Sequence, residues 1–174
     1  MEDKVERDKV ISEELRMEVK GVEDIYEELL LKNTKFPRAE ELNEDVLAWV
    51  DCVFHNWTTL GSRGSEARRV SDILYRASQK TFHSPRILRY LFITLTASGN
   101  FHNAELSLDT YITLVKRGKA RLEKGGPNNP SLIANDFDSD ATIISTCVAG
   151  VRFLIKYFED RSAKAIEISA LVKG

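Results

Sequence analysis

The sequence predicts an all-α fold, a stack of antiparallel helical hairpins with about six helices and no sheet. Apolar residues recur at three- and four-residue intervals through most of the chain, which is the spacing of one helix face. The chain has only four prolines and nine glycines, and few runs of β-branched residues. With 174 residues and a hydrophobic content of 43%, it is long enough for one domain with a packed core.

The clearest hairpin begins at Ser84, directly before Pro85. A serine accepts hydrogen bonds from the free amides of a helix start, and a proline in the first helical position loses no bond. The apolar face of this helix consists of Ile87, Leu88, Leu91, Phe92 and Leu95. Ser98-Gly99-Asn100 ends it, because glycine readily adopts the left-handed geometry of a helix end. A second helix is marked by Ala104, Leu108, Tyr111, Ile112 and Val115.

This hairpin matches the tetratricopeptide template, W-x2-L-G-x2-Y followed by A-x3-F. Its six positions are occupied by Leu88, Leu91, Phe92, Leu95, Ala104 and Leu108. Phe101 in the turn is expected to plug the hairpin, and all seven side chains are expected to be buried. Ala77 lies 34 residues before Tyr111, which is one repeat period, so helices 44–60 and 65–80 are predicted to form a preceding, degenerate repeat. The fold prediction is therefore a tetratricopeptide-like α-solenoid.

The chain divides into two parts. Residues 1–40 are predicted to form a charged N-terminal helix and a linker, and residues 41–174 the helical-repeat domain with a loop over 125–140. The N-terminal helix spans 3–32, and one stripe carries Ile11, Leu15, Val19, Val22, Tyr26 and Leu29. The sequence leaves open whether this helix packs on the repeats.

Capping residues and breakers set the other helix boundaries. Asn43 can cap a helix that ends at Gly61–Gly64, and Ser65 can cap the next one. Asp138 or Ser139 can cap the first helix of a final hairpin. No proline follows Tyr111, so the hairpin's second helix is expected to extend to about residue 124. A solenoid needs polar terminal repeats, and the abrupt ends of the pattern suggest a segment of a longer array or a truncated product.

Charge is distributed unevenly along the chain. The overall net charge of −2 gives no general reason to expect nucleic acid or a membrane as a partner. Residues 1–45, however, carry 15 acidic and 8 basic side chains, a net charge of −7. Residues 46–125 carry 6 acidic and 12 basic side chains, a net charge of +6. Such segregation favours an acidic end and a basic centre that face different partners.

Two basic sets are the candidate partner-binding residues. Arg69, Arg76 and Lys80 are spaced seven and four residues apart, on one helix face. Lys116, Arg117 and Arg121 lie near the end of the long helix, where positive charge also complements the helix dipole. A solvated helix face is the simpler interpretation. The functional interpretation is a docking surface for an acidic protein, and the alternative is a helical module that binds a polyanion, either nucleic acid or an anionic lipid.

The sequence shows no recognisable pattern of catalytic or metal-binding residues, and we expect no enzyme activity and no cofactor. Cys52 and His55 have the spacing of half a zinc site, but no second pair accompanies them, and Cys52 is expected to pack in the core. His83 and His102 have no nucleophile and orienting acid at readable spacing. The alternating acids Asp136, Asp138 and Asp140 resemble the start of a calcium loop, but solvation in the loop is the better interpretation.

The two cysteines do not form a disulfide framework, which favours a reduced, intracellular protein. The charged first twenty residues do not form a secretory signal, and no apolar run reaches the roughly 18 residues of a membrane span. We therefore expect a cytoplasmic protein, peripheral at the plasma membrane if partners place it there.

Three runs of the sequence resemble a fungal family. They are Tyr75-Arg-Ala-Ser-Gln-Lys-Thr-Phe-His-Ser-Pro-Arg-Ile-Leu-Arg-Tyr-Leu91, Ser98-Gly-Asn-Phe-His-Asn-Ala-Glu-Leu106 and Thr110-Tyr-Ile-Thr-Leu-Val-Lys-Arg-Gly-Lys119. The sequence is similar to the fungal cargo-transport tetratricopeptide proteins related to animal tetratricopeptide repeat domain protein seven. The resemblance covers roughly 45–172, and Thr81–Arg86 is its most specific part. It implies a non-catalytic scaffold that helps recruit a phosphatidylinositol 4-kinase to the plasma membrane with a membrane-anchored partner, in endocytic traffic. This chain would be one internal block of such a scaffold.

Overall fold

The computed structural model describes residues 2–38, 41–124 and 136–171, and the side chains within 7–38, 41–120 and 136–171. These ranges contain seven α-helices and no strand, which confirms the all-α prediction. The helices are α1 (Glu2–Asn33), α2 (Glu44–Thr59), α3 (Gly64–Ser78), α4 (Pro85–Ala97), α5 (Phe101–Lys124), α6 (Asp140–Tyr157) and α7 (Ser162–Ala170). Six of them follow the N-terminal helix.

Side-chain caps start α2, α4 and α6. Asn43 accepts a hydrogen bond from Val46 N, and Ser84 accepts one from Ile87 N. Ser139, the second of the two predicted candidates, accepts one from Thr142 N and caps α6. Each cap satisfies an amide that the first turn of a helix leaves without a partner.

The prediction that Ser65 caps α3 is wrong. The helix begins one residue earlier, at Gly64, and the side chain of Arg63 at the cap position makes no capping hydrogen bond. Gly61 and Ser62 both have positive φ, so the chain has already reversed before Ser65. A side chain at position 64 would meet the carbonyl oxygen of Ala97 at 2.8 Å, which explains the glycine.

The core lies between consecutive helices, since α2 packs on α3, α3 on α4, α4 on α5, and α6 on α7. Five of the seven side chains predicted to be buried are so: Leu91, Phe92, Leu95, Ala104 and Leu108. Leu88 and Phe101 are only partly buried. Phe101 stacks on Tyr157 of α6, with ring centroids 4.0 Å apart, and therefore joins two hairpins instead of plugging its own.

Asp138 is a structural anchor, and the prediction that it is a solvated loop acid is wrong. Its carboxylate accepts hydrogen bonds of 2.9 and 3.0 Å from Arg89 of α4. It also accepts one of 2.9 Å from the hydroxyl of Tyr111 in α5, whose side chain is fully buried. Burial together with the negative charge of Asp138 raises the pKa of Tyr111. The start of α6 is thereby tied to both α4 and α5.

Asp136 is likewise buried, with 3% of its surface exposed, and is not a solvated loop residue. Arg86 Nε lies 2.9 Å from Asp136 Oδ1, and the Ser84 hydroxyl donates a short hydrogen bond to Asp136 Oδ2. Burial raises the pKa of the Asp136 carboxyl, although Ser84 and Arg86 both lower it. Asp140, the third acid of the predicted calcium-like pattern, is 3.1 Å from Lys119. The rest of the predicted loop, 125–135, lies outside the described residues.

Charges also fasten the last hairpin to α5. Glu105 accepts hydrogen bonds from Arg161 Nε at 2.9 Å and from Lys164 Nζ at 2.6 Å. Lys164 also reaches Asp109 at 2.7 Å. Burial alone would raise the pKa of Glu105, but Lys164 and Arg161 outweigh it and lower that pKa. Within the described residues, no helix is long and apolar enough to cross a membrane.

Candidate partner-binding surface

The N-terminal helix lies against α2 and α3, which answers the question that the sequence left open. The contact face of α1 is largely charged: Glu23 and Glu27 are 5% and 7% exposed. Four residues separate them, so they lie on the same side of the helix, one turn apart. Most of the apolar stripe faces away from this contact: Ile11, Val22 and Leu29 are each more than half exposed, whereas Tyr26 packs on Trp49 of α2.

Arg69 is the centre of the contact on α3. Its Nη1 lies 2.7 Å from Glu23 Oε2, and its Nη2 lies 2.6 Å from Asp24 Oδ1. Glu23 also accepts a hydrogen bond of 3.0 Å from Asn56 of α2, so three helices meet at this carboxylate. Burial alone would lower the pKa of the Arg69 guanidinium, but the hydrogen bonds to Glu23 and Asp24 outweigh it and raise that pKa.

Arg76 continues the row along α3, and Lys80 follows two residues after that helix ends at Ser78. Arg76 donates two hydrogen bonds of 2.8 Å to the two oxygens of Glu27, the planar pairing that a guanidinium makes with a carboxylate. The hydrogen bond to Glu27 raises the pKa of Arg76, against a smaller lowering by burial. Lys80 Nζ donates to the carbonyl of Thr34 at 2.9 Å and lies over the Phe36 ring. The predicted helix face therefore holds for Arg69 and Arg76, which α1 occupies, but Lys80 lies beyond the helix and contacts the linker that follows α1.

Charges of both signs hold the first half of α1. Arg63 Nη1, at the start of α3, lies 2.9 Å from Glu13 Oε2. At Arg16 the charges are reversed, with the base on α1 and the acid on α3. Its Nε is 3.4 Å from Glu66 Oε1, and it donates a short hydrogen bond to the carbonyl of Leu60. With this alternation of sign, α1 has one favourable register on α3.

The six predicted partner-binding residues have different surroundings. Arg69, Arg76 and Lys80 contact α1 and its linker, and of these three only Arg76 is exposed, whereas Arg69 and Lys80 are partly buried. Lys116 pairs with Glu167 of α7 at 2.9 Å. Arg117 is exposed and makes no ion pair within the described residues. The side chain of Arg121 lies outside them. Their role in binding a partner stays a prediction.

Cys52 is exposed, so the expectation that it packs in the core is wrong. The inward face of α2 is formed by Val46, Val50, Val53 and Trp57, and Cys52 lies on the other side, one turn after Ala48. His55, His83 and His102 are exposed as well. Within the described residues, no three His, Cys, Asp or Glu side chains are grouped so that they could hold a metal ion.

An open groove of about 480 Å³ runs between α1 and α2 on the side away from α3. Its walls are mainly apolar, with Leu15, Val22 and Tyr26 from α1 and Ala48 and Trp49 from α2. The rings of Tyr26 and Trp49 are 5.0 Å apart and form the floor where the helices meet. The groove is a second surface, separate from the basic row.

The local sequence pattern does not predict that the acids of α1 pair with the basic row. The signal was present in the excess of acids before residue 46 and of bases after it, and in the spacing of Glu23 and Glu27. The ion pairs between α1 and α3 join residues more than 40 positions apart, and no local pattern specifies such pairs. The same is true of the α1–α2 groove.

The fold and this surface define an all-α protein of helical hairpins, in which acids of α1 form ion pairs with bases of α3. No family model, no curated protein and no solved structure matches the chain. The class of the protein therefore rests on its own sequence and structure.

Proposed function

We propose that this chain is a non-catalytic scaffold of helical repeats that binds protein partners. In a tetratricopeptide-like stack, consecutive hairpins form extended grooves that can bind helical or extended segments of a partner. Such binding requires no catalytic site. One observation carries the proposal: the basic row of α3 already holds an acidic helix, through Arg69 with Glu23 and Arg76 with Glu27. The surface is suited to charge-directed recognition of a helix, which favours specificity and register over raw affinity.

The setting we propose is an adaptor that recruits a phosphatidylinositol 4-kinase to the plasma membrane and supports endocytic cargo transport. This part of the proposal is supported by the resemblance between 70 and 120 alone. In this setting the chain would be a segment of the adaptor. It would meet the membrane through its partners.

Affinity capture from a fungal lysate tests this function. The bait is the chain itself, beside a variant with Lys116→Glu and Arg117→Glu and a second variant with Glu23→Gln and Glu27→Gln. Arg152→Glu, an exposed change on α6, serves as the control. We expect the natural chain and the control to recover a phosphatidylinositol 4-kinase.

The two variants separate the two basic sets. A partner of the α5 set is lost with the charge reversal, whereas a partner of the α3 row is recovered better once the acids of α1 are neutralised. If no bait recovers the kinase, the proposed setting is wrong. Binding to a polyanion, the alternative, predicts affinity that falls steeply with added salt. It has less support, because carboxylates already neutralise Arg69 and Arg76.

A further inference from the structure

The outward face of α1 carries a regular apolar seam. Its members are Ile11, Leu15, Val22, Ile25 and Leu29, each between 47% and 69% exposed. With Glu18 included, the steps along the seam are four, three, four, three and four residues, which is the a/d pattern of a coiled-coil helix. A helix normally turns such a stripe toward a protein core, and this one turns its charged side inward.

The middle of the seam borders the groove between α1 and α2, and Ile11, Ile25 and Leu29 extend it beyond the groove lining. Leu15 and Val22 belong to both, and Ala48 and Trp49 form the opposite wall. A helix bound along the seam would therefore contact both α1 and α2.

The charged residues that line this groove have one sign. Its lining includes Glu18 and Glu23 and no lysine or arginine. Glu23 is already paired with Arg69, but Glu18 is exposed and has no ion pair within the described residues. Four further exposed acids without a described ion pair stand next to the seam or on the exposed face of α2: Glu14, Glu28, Glu44 and Asp45.

We propose that the groove between α1 and α2 is the docking site for a basic amphipathic helix of a partner protein. Leucine-like side chains of that helix would fill the seam, and flanking lysines or arginines would face Glu14, Glu18 and Glu28. The proposal rests on the scaffold function above and names the chemistry of one partner.

A second copy of the chain fits this seam less well. A parallel pair of α1 helices would bring two Glu18 carboxylates together in the seam. An antiparallel pair with Ile11 against Leu29 would place Glu14 beside Glu28 twice, and like charges at such flanking positions disfavour pairing. An anionic membrane surface would also repel these acids.

The test uses the whole chain and two synthetic helical peptides that share leucines at every a and d position. One peptide has lysines at the flanking positions and the other has glutamates. At about 0.1 M salt, where the Debye length is about 10 Å, we expect the lysine peptide to bind at least about tenfold more tightly.

Variants of the chain then locate the binding. Val22→Asn with Ile25→Asn should weaken binding of the lysine peptide about tenfold or more, because it removes exposed apolar contacts. Leu106→Asn, an equally exposed change on α5, is the matched control and should leave binding unchanged. Glu14→Lys with Glu18→Lys should reverse the preference between the peptides. Circular dichroism checks that each variant keeps its helix content.

Three outcomes would overturn the proposal. In the first, the asparagine variant binds the lysine peptide as tightly as the natural chain does. In the second, the two peptides bind equally. In the third, light scattering shows that the natural chain dimerises and that the asparagine variant is monomeric, so a second copy covers the seam. None of these changes alters Lys116 or Arg117, so kinase capture separates failure of the groove from failure of the scaffold function.

Discussion

Arg76 of α3 and Glu27 of α1 form a bidentate ion pair, with both hydrogen bonds at 2.8 Å, although they are 49 residues apart in the sequence. The carboxylate is almost fully buried and the guanidinium is half exposed. The two side chains are therefore unequal partners. Loss of the arginine leaves a buried charge without its main partner, whereas loss of the glutamate leaves a cation that water can reach.

Arg76→Gln should accordingly loosen α1. Leaving a buried polar group without a partner costs about 1–3 kcal/mol, and a charged group costs more. We expect trypsin to cleave at Lys20, in the middle of α1, faster in this variant than in the natural chain. The matched control is Arg68→Gln, because Arg68 is exposed on the same helix and makes no ion pair within the described residues. Equal cleavage rates in the natural chain and the Arg76 variant would show that this pair does not hold α1.

Leu91→Ala tests the core. Leu91 is 2% exposed in α4, and removing a buried leucine side chain costs about 2–5 kcal/mol. Urea denaturation should show this loss in the free energy of unfolding. Leu106→Ala, at a leucine that is 59% exposed, should change it by about 0.5 kcal/mol or less. A Leu91 variant as stable as the natural chain would contradict the packing of α4 on α5.

Glu105 should make stability depend on pH. Its pKa is lower in the folded chain than the ordinary 4.5, because Lys164 and Arg161 stabilise the carboxylate. The folded state therefore binds the proton less readily than the unfolded state does. The contribution of Glu105 is complete above about pH 4.5 and is lost as the pH falls through the folded-state pKa.

The measurement is urea denaturation of the natural chain and of Glu105→Gln between pH 6 and pH 3. We expect the natural chain to be the more stable at pH 6, and the difference to shrink toward pH 3. A difference that stays constant over this range would argue against a titrating Glu105. Lys116→Gln, which removes an exposed pair with Glu167, should have a much smaller effect.

Two helical glycines should respond in opposite ways to alanine. At Gly118 of α5, a β-carbon would collide with Cε2 of Phe137 and lie 2.9 Å from its Cζ. Gly118→Ala should therefore destabilise the chain by about 1–3 kcal/mol, despite the higher helix propensity of alanine. At Gly21 of α1 the same β-carbon would have no neighbour within 4 Å, and alanine should stabilise that helix by up to about 1 kcal/mol. Thermal denaturation of both variants checks the pair, and an unchanged Gly118 variant would mean that the Phe137 ring moves aside freely.

The features that the sequence predicted correctly are local. The start of α4 is specified by Ser84 and Pro85, together with the amide of Ile87 that Ser84 caps. The spacing of Leu91, Phe92 and Leu95 specifies the buried face of the helix. The signal for each lies within one or two helical turns. The Ser65 cap failed because the turn at Gly61 and Ser62 closes earlier than the cap pattern assumes.

The features that the sequence did not predict are pairs of charges far apart in the chain. Asp138 meets Arg89 across 49 residues, and Glu23 meets Arg69 across 46. An isolated acid or base has the same appearance in a sequence whether it is solvated or paired. For this reason the sequence predicts a solvated loop residue at Asp138 and a partner-binding residue at Arg69.

The docking of α1 through charges also determines how the molecule opens. A helix that buries little apolar surface contributes little to the cooperative core, so α1 should detach in a step separate from global unfolding. Amide hydrogens of α1 should then exchange with solvent much faster than those around Leu91 and Leu108, which open only when the whole core unfolds. The chain would thus be two cooperative units of unequal stability, and its least stable unit is the helix that carries the outward apolar seam.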